Sequence, residues 1–239
     1  MKGLLNPDSP LNQFLVRIAD LCIINILTLI FSLPIVTAGA AITAAHKTTQ
    51  DIIHDNASGV FLPYLKSFKI NFKQATIVWL LELFFVAVMA GYLWLILVYT
   101  EGTWRTISFI VLGVAAFVLF SLTTFMYPMI ARYENTLKQH LLNSIQLVMF
   151  NLPRTFVTVV VDVLPLVLAF FLPTLFMQLG VLILLFGLSF MILIHNSLLK
   201  SIFDKLEAKK EKDEAAKLAE EAEEAEEAEE AEEAEEDEE

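Results

Sequence analysis

Two carboxylates, a histidine and an asparagine sit inside strongly apolar parts of the chain: Glu82 in ATIVWLLELFF, Asp162 in TFVTVVVDVLP, and His195-Asn196 in MILIHNSLLK. An acid in hydrocarbon needs a partner, a proton or water, because a lone Asp at the centre of a membrane helix costs on the order of 2.5–3.5 kcal/mol. An imidazole is a natural partner for such a carboxylate. Glu82, Asp162, His195 and Asn196 are therefore a candidate intramembrane polar cluster with two readings. It makes polar contacts between helices, or it forms a path for an ion, a proton or a small solute. Neither reading makes an enzyme. The sequence has no glycine-rich phosphate loop, no His-Glu-x-x-His and no Gly-x-Ser-x-Gly. The single cysteine, Cys22, excludes an intrachain disulfide and offers no metal-binding spacing. No cofactor and no metal are expected.

The elements that must position these residues follow from hydropathy. Of the 239 residues 56% are hydrophobic, with a mean hydropathy of +0.64, well above the roughly 45–50% apolar content of a soluble domain. A helix needs about 20 mostly apolar residues to cross a bilayer core. Five stretches qualify: 14–36, 75–99, 106–129, 155–175 and 179–199. The fourth carries Pro165 and Pro173, so a kink or an early end is expected there. The first run starts late, carries Asp20 and Asn25, and lacks a small-x-small cleavage site, so it reads as an uncleaved span. The expected fold is all-α, a polytopic membrane helix bundle of about five transmembrane helices with cytoplasmic interfacial helices. Residues 1–203 form the membrane domain and 204–239 an acidic tail.

Charge gives the orientation. The net charge of −12 belongs to the tail, since residues 1–203 hold 11 Lys/Arg against 8 Asp/Glu. With five spans, one side receives 13 of the 16 basic residues, and the other only Lys2, Arg17 and Arg105. The positive-inside rule then places the N-terminus outside and the C-terminus in the cytoplasm of a bacterial plasma membrane. Tyr92, Trp94, Tyr99 and Trp104 form an outer aromatic belt, with Trp79 and Tyr127 near the inner face.

Pro34 ends the first span, and Thr37 is the expected N-cap of a helix reaching Ile53. Gly39, Ala40, Ala41, Thr43, Ala44 and Ala45 repeat small residues at i, i+4, a spacing that lets helix backbones approach closely. Together with Pro34 they read as a helix-packing motif. A parallel internal repeat is also expected. FSLPIV around Pro34 pairs with FMYPMI around Pro128, and Asn71 and Asn151 each precede an acid by 11 residues, Glu82 and Asp162. Parallel repeats of this kind occur among transporters.

His46, His54 and His140 read as separate surface histidines of the interfacial segments. Lys66, Lys69 and Lys73 share a helical face beside Tyr64, Phe68 and Phe72, which suits an anionic leaflet. The Ala-Glu-Glu repeat after Leu218 reads as solvated and largely disordered, because glutamates at i, i+3 repel.

The stretch IADLCIINILTLIFSLPIVTAGAAITAAHK, followed by FKINFKQATIVWL and later NLPRTF, resembles the YesL-like family of bacterial integral membrane proteins, a domain of unknown function. The resemblance covers roughly residues 12–203, and residues 32–39 and 71–79 are its most specific parts. It implies a multi-pass protein linked to carbohydrate uptake or its regulation, with sugar-transporter subunits as partners. It supplies no catalytic or binding residues. The lipid bilayer is the one partner the residues themselves call for, and nothing in them points to nucleic acid. The resulting expectation is an accessory or interaction component associated with solute uptake. The alternative is a small-solute or proton-coupled transporter or channel using the acid and histidine cluster.

Overall fold

The computed structural model describes residues 9–54 and 59–236. Among them the order is α1 (Pro10–Ser32), a 3-10 turn (Ile35–Thr37), α2 (Ala38–Ile53), α3 (Phe61–Tyr99), α4 (Gly102–Arg132), α5 (Leu137–Phe150), α6 (Leu152–Phe171), α7 (Pro173–Gln178) and α8 (Gly180–Glu236). Five of these helices are long and apolar enough to cross a membrane: α1, α3, α4, α6 and the first part of α8. The chain is an all-α polytopic membrane bundle. It divides into two compact units, one up to Leu198 and one from Leu199.

In the first unit α2 packs against α1, α3 and α4. Pro34 cannot extend α1, and the chain bends there. Thr37 holds the bend by directing its hydroxyl at the carbonyls of Phe31 (2.5 Å) and Pro34 (2.9 Å). Thr37 is thus the residue before α2, as the sequence predicts, but its side chain makes no capping bond to α2. Pro34 itself stands exposed at the bend and takes no part in the close packing.

The small residues do. Ala40, Ala41, Thr43, Ala44 and Ala45 are completely buried, and Gly39 is buried with them. At Gly39 a side chain has no room, since a Cβ there would lie 2.5 Å from the Ala75 carbonyl oxygen and 2.5 Å from the Trp79 Cβ. Two large residues of α3 close the contact. The Tyr64 hydroxyl donates to the Ala41 carbonyl at 3.1 Å, and the Trp79 indole N–H donates to Ile35 at 2.7 Å. Leucines at these α2 positions would push α3 away.

The expected span 75–99 is only the later part of α3. At 39 residues α3 is about 58 Å long by helix rise, roughly twice a hydrocarbon core. The segment holding Lys66, Lys69 and Lys73 is therefore not a separate interfacial helix. Pro63 sits in the first turn, where proline is tolerated, and nothing between it and Ala75 breaks the helix. Pro128, expected to end a span, lies inside α4, which continues to Arg132. The fourth span stops at Phe171 rather than 175. A proline disfavours helical geometry in the residue before it, and Leu172, which precedes Pro173, has left the helix with φ −128°, ψ 57°.

The two halves of the first unit show the same order of elements: a long apolar helix, a short helix, and an apolar helix bearing an acid. α5 opens with a capping box, in which Thr136 and Gln139 bond each other's backbone N–H groups.

The second unit is the remaining length of α8, helical to Glu236. Alanine and glutamate are strong helix formers, and extending an existing helix needs no new nucleus. The earlier Lys210–Glu214 pair, 3.5 Å apart at i, i+4, adds only a few tenths of a kcal/mol.

Candidate functional site

The four predicted polar residues are divided between two neighbouring sets of contacts, both anchored by residues the sequence reading did not select. The first uses α4 as its post. Tyr127 donates its hydroxyl to Glu82 of α3 at 2.5 Å, and Thr124 donates to Asp162 of α6 at 3.1 Å. Thr124 and Tyr127 are three residues apart, so they lie on one face of α4 in adjacent turns. Glu82 and Asp162 are thereby held on either side of the same helix. Tyr127 is buried, not part of an inner aromatic belt. Trp94, Tyr99 and Trp104, by contrast, are well exposed near the α3–α4 connection.

The second set joins α8 to α2. His195 Nδ1 lies 3.7 Å from Asp162 Oδ1. Asn196 instead turns to His46, donating its Nδ2 to the His46 carbonyl at 3.1 Å while its Oδ1 lies 2.9 Å from His46 Nδ1. The first bond fixes which end of the Asn196 amide faces the ring. Its oxygen must then accept, and the proton of a neutral His46 resides on Nδ1. The two imidazoles meet edge to face, with centroids 5.4 Å apart.

His46 is therefore no surface residue; only 3% of it is exposed. Burial is the main cause that pushes its pKa down, to about 3, and the neighbouring His195 lowers it further. The Asn196 hydrogen bond and the Asp162 charge act in the opposite direction and do not compensate. His140 is also buried, and burial lowers its pKa as well. Neither of its ring nitrogens has a hydrogen-bond partner. A signal for both was present in the sequence: His46 follows Pro34 by 12 residues and His140 follows Pro128 by 12. His54 is only partly buried and bonds the Gln50 carbonyl of its own helix at 2.8 Å.

Asn25, which the sequence marked only as polar, spans from α1 to α8. Its amide donates to the Leu184 carbonyl at 2.6 Å and accepts from the Ser189 N–H at 3.0 Å. It fixes the height of α8, and with it the level at which His195 meets Asp162.

The cluster brings two carboxylates, two imidazoles and a phenol within contact of one another across α2, α3, α4, α6 and α8. Among the described residues no set of three His, Cys, Asp or Glu is arranged to hold a metal ion. The Tyr127–Glu82 bond is the simplest to test. Tyr127→Phe removes the Tyr127 donor from a partly buried carboxyl group that keeps only Thr123 beside it, which should lower stability in detergent by about 1–3 kcal/mol. Thermal unfolding of the variant, beside Phe125→Leu as a packing control, measures this.

A cleft of ≈ 1090 Å³ opens in the same unit, between the C-terminal half of α2, the first turns of α3, and the α4–α5 connection. Its charged residues are Lys47, Lys66, Arg132, Asp51 and Glu134. Lys47 and Asp51 pair at 3.1 Å.

Fold and site together define a multi-pass helical membrane protein with a buried polar seam. Residues 21–95 match a family model described as a protein of unknown function, DUF624. The matched segment runs from within α1 to near the end of α3 and includes His46 and Glu82, whereas Asp162, His195 and Asn196 lie beyond it. No curated protein and no solved structure matches the chain.

Proposed function

We propose that this protein is a non-enzymatic accessory component of the bacterial plasma membrane that works by binding other proteins at its basic end. The observation that carries this reading is the uneven distribution of chain between the two ends of the bundle. At one end the described connections are Thr100–Glu101 and the short α7. At the other lie α2, α5, the first turns of α3 and the cleft. A protein that binds partners on one side needs surface on that side. The positive-inside rule puts the basic end in the cytoplasm. Cysteines introduced into a Cys22→Ser background test the orientation: Glu101→Cys should react with an impermeant thiol reagent in intact cells, and Lys138→Cys only after permeabilisation. Reaction at Lys138 in intact cells would reverse it. The YesL-like resemblance supports sugar-transporter subunits as the partners.

The second reading, a proton-coupled transporter, is favoured by the sequence of contacts from Asp162 to His195 to His46, in which His195 Nε2 is buried without a partner. Flux measurements on the purified protein in liposomes separate the two. The accessory reading expects no pH-driven solute or proton flux above that of empty vesicles. Flux that Asp162→Asn abolishes would establish the transporter.

A further inference from the structure

His140 is completely buried, and among the described residues neither of its ring nitrogens has a hydrogen-bond partner. One buried polar atom left unpaired costs about 1–3 kcal/mol, so an imidazole with two of them calls for a partner of another kind. The register of α5 shows what surrounds it. His140, Ser144 and Leu147 are the buried residues of that helix, and their i, i+4, i+7 spacing puts them on one face. α5 packs mainly on α4. Ser144 marks where the buried face meets α4, since its hydroxyl lies 3.8 Å from the Met126 sulphur and 3.7 Å from the Met129 sulphur. Both methionines are buried. An imidazole thus stands one turn of α5 from the point on which two thioethers converge.

The two halves of the first unit differ at this place. His46, which follows Pro34 as His140 follows Pro128, is held by Asn196. The first-half residues that match Met126 and Met129 in distance from the proline are Ser32 and Ile35. Sulphur accompanies the histidine that has no amide partner. Thioethers are soft ligands that select Cu(I), whereas oxygen ligands suit harder cations, and the usual zinc ligands are Cys, His, Asp and Glu. Methionine also has the torsional freedom to bring its sulphur onto an ion.

We propose that Met126, Met129 and His140 bind one Cu(I) ion between α4 and α5. No spacing of His and Cys in the sequence marks such a site, because two of its three ligands are thioethers. The test uses the full chain in detergent with Cys22→Ser, which removes the one thiol. It would be titrated anaerobically into the coloured Cu(I)–bicinchoninate complex, whose bleaching reports transfer of the ion. One Cu(I) per chain should transfer. Met126→Leu, Met129→Leu and His140→Leu should each weaken binding at least about tenfold, whereas Met149→Leu, on the exposed side of α5, should leave it unchanged. Leucine conserves the volume of methionine, so the unfolding midpoints of the two methionine variants without metal should stay near that of the parent, which separates loss of a ligand from loss of packing. Absence of transfer would overturn the proposal. So would transfer that survives Met126→Leu and Met129→Leu together, or an equal affinity for Zn(II) in competition with a colorimetric zinc chelator.

Discussion

Gly39→Ala should destabilise the protein by about 3 kcal/mol or more, although it adds one methyl group to a helix. Alanine is ordinarily the better helix former by about 1 kcal/mol. Here the new Cβ would sit 2.5 Å from a backbone oxygen of α3 and 2.5 Å from the Trp79 Cβ, neither of them the flexible end of a side chain. The helices must separate, and the Trp79–Ile35 and Tyr64–Ala41 hydrogen bonds depend on their spacing. Ala41→Leu should behave similarly, since Ala41 is fully buried in the same contact. Ile52→Leu, a buried change that conserves volume, should cost less than about 1.5 kcal/mol. Thermal unfolding of the three variants in one detergent measures the difference, and equal midpoints would remove close packing as the role of α2.

The second large effect is a loss of stability in acid that depends on His46. Its pKa falls from 6.5 in the unfolded chain to about 3 in the folded one, so the unfolded state binds the proton first. Stability from this group is complete above pH 6.5 and is lost as pH falls towards 3, by about 1.4 kcal/mol per pH unit. At pH 5 the loss is about 2 kcal/mol. His195 and Asp162 face His46 from α8 and α6, so the comparison is between proteins rather than between pH values alone. His46→Gln keeps an amide donor for the Asn196 oxygen and carries no titrating group. Its midpoint at pH 5, relative to pH 7.5, should fall by less than that of the wild type. Identical pH dependence would show that His46 is not held neutral in the fold.

The five spans were legible because length and apolarity are local properties, and Pro34 with the alanines after it marked α2 for the same reason. The register of α3 was less so. Its aqueous and membrane parts differ in composition, yet a helix continues across such a change when no breaker intervenes. The polar seam was half legible. Glu82, Asp162, His195 and Asn196 stood out by being polar among apolar neighbours. His46 lies among small and polar residues, so its burial depends on α8 arriving from 150 residues away. Tyr127 and Thr124 resemble ordinary residues of an apolar helix until the acids of α3 and α6 are placed beside them.

Photo-crosslinking in native membranes tests the central claim, that the basic end is the working face. A crosslinkable amino acid replaces Lys69 or Lys138 at that end and Glu101 or Trp104 at the other, all four exposed. The account predicts discrete protein adducts from Lys69 and Lys138 and none from Glu101 or Trp104. Adducts from the Glu101 and Trp104 positions alone would contradict it.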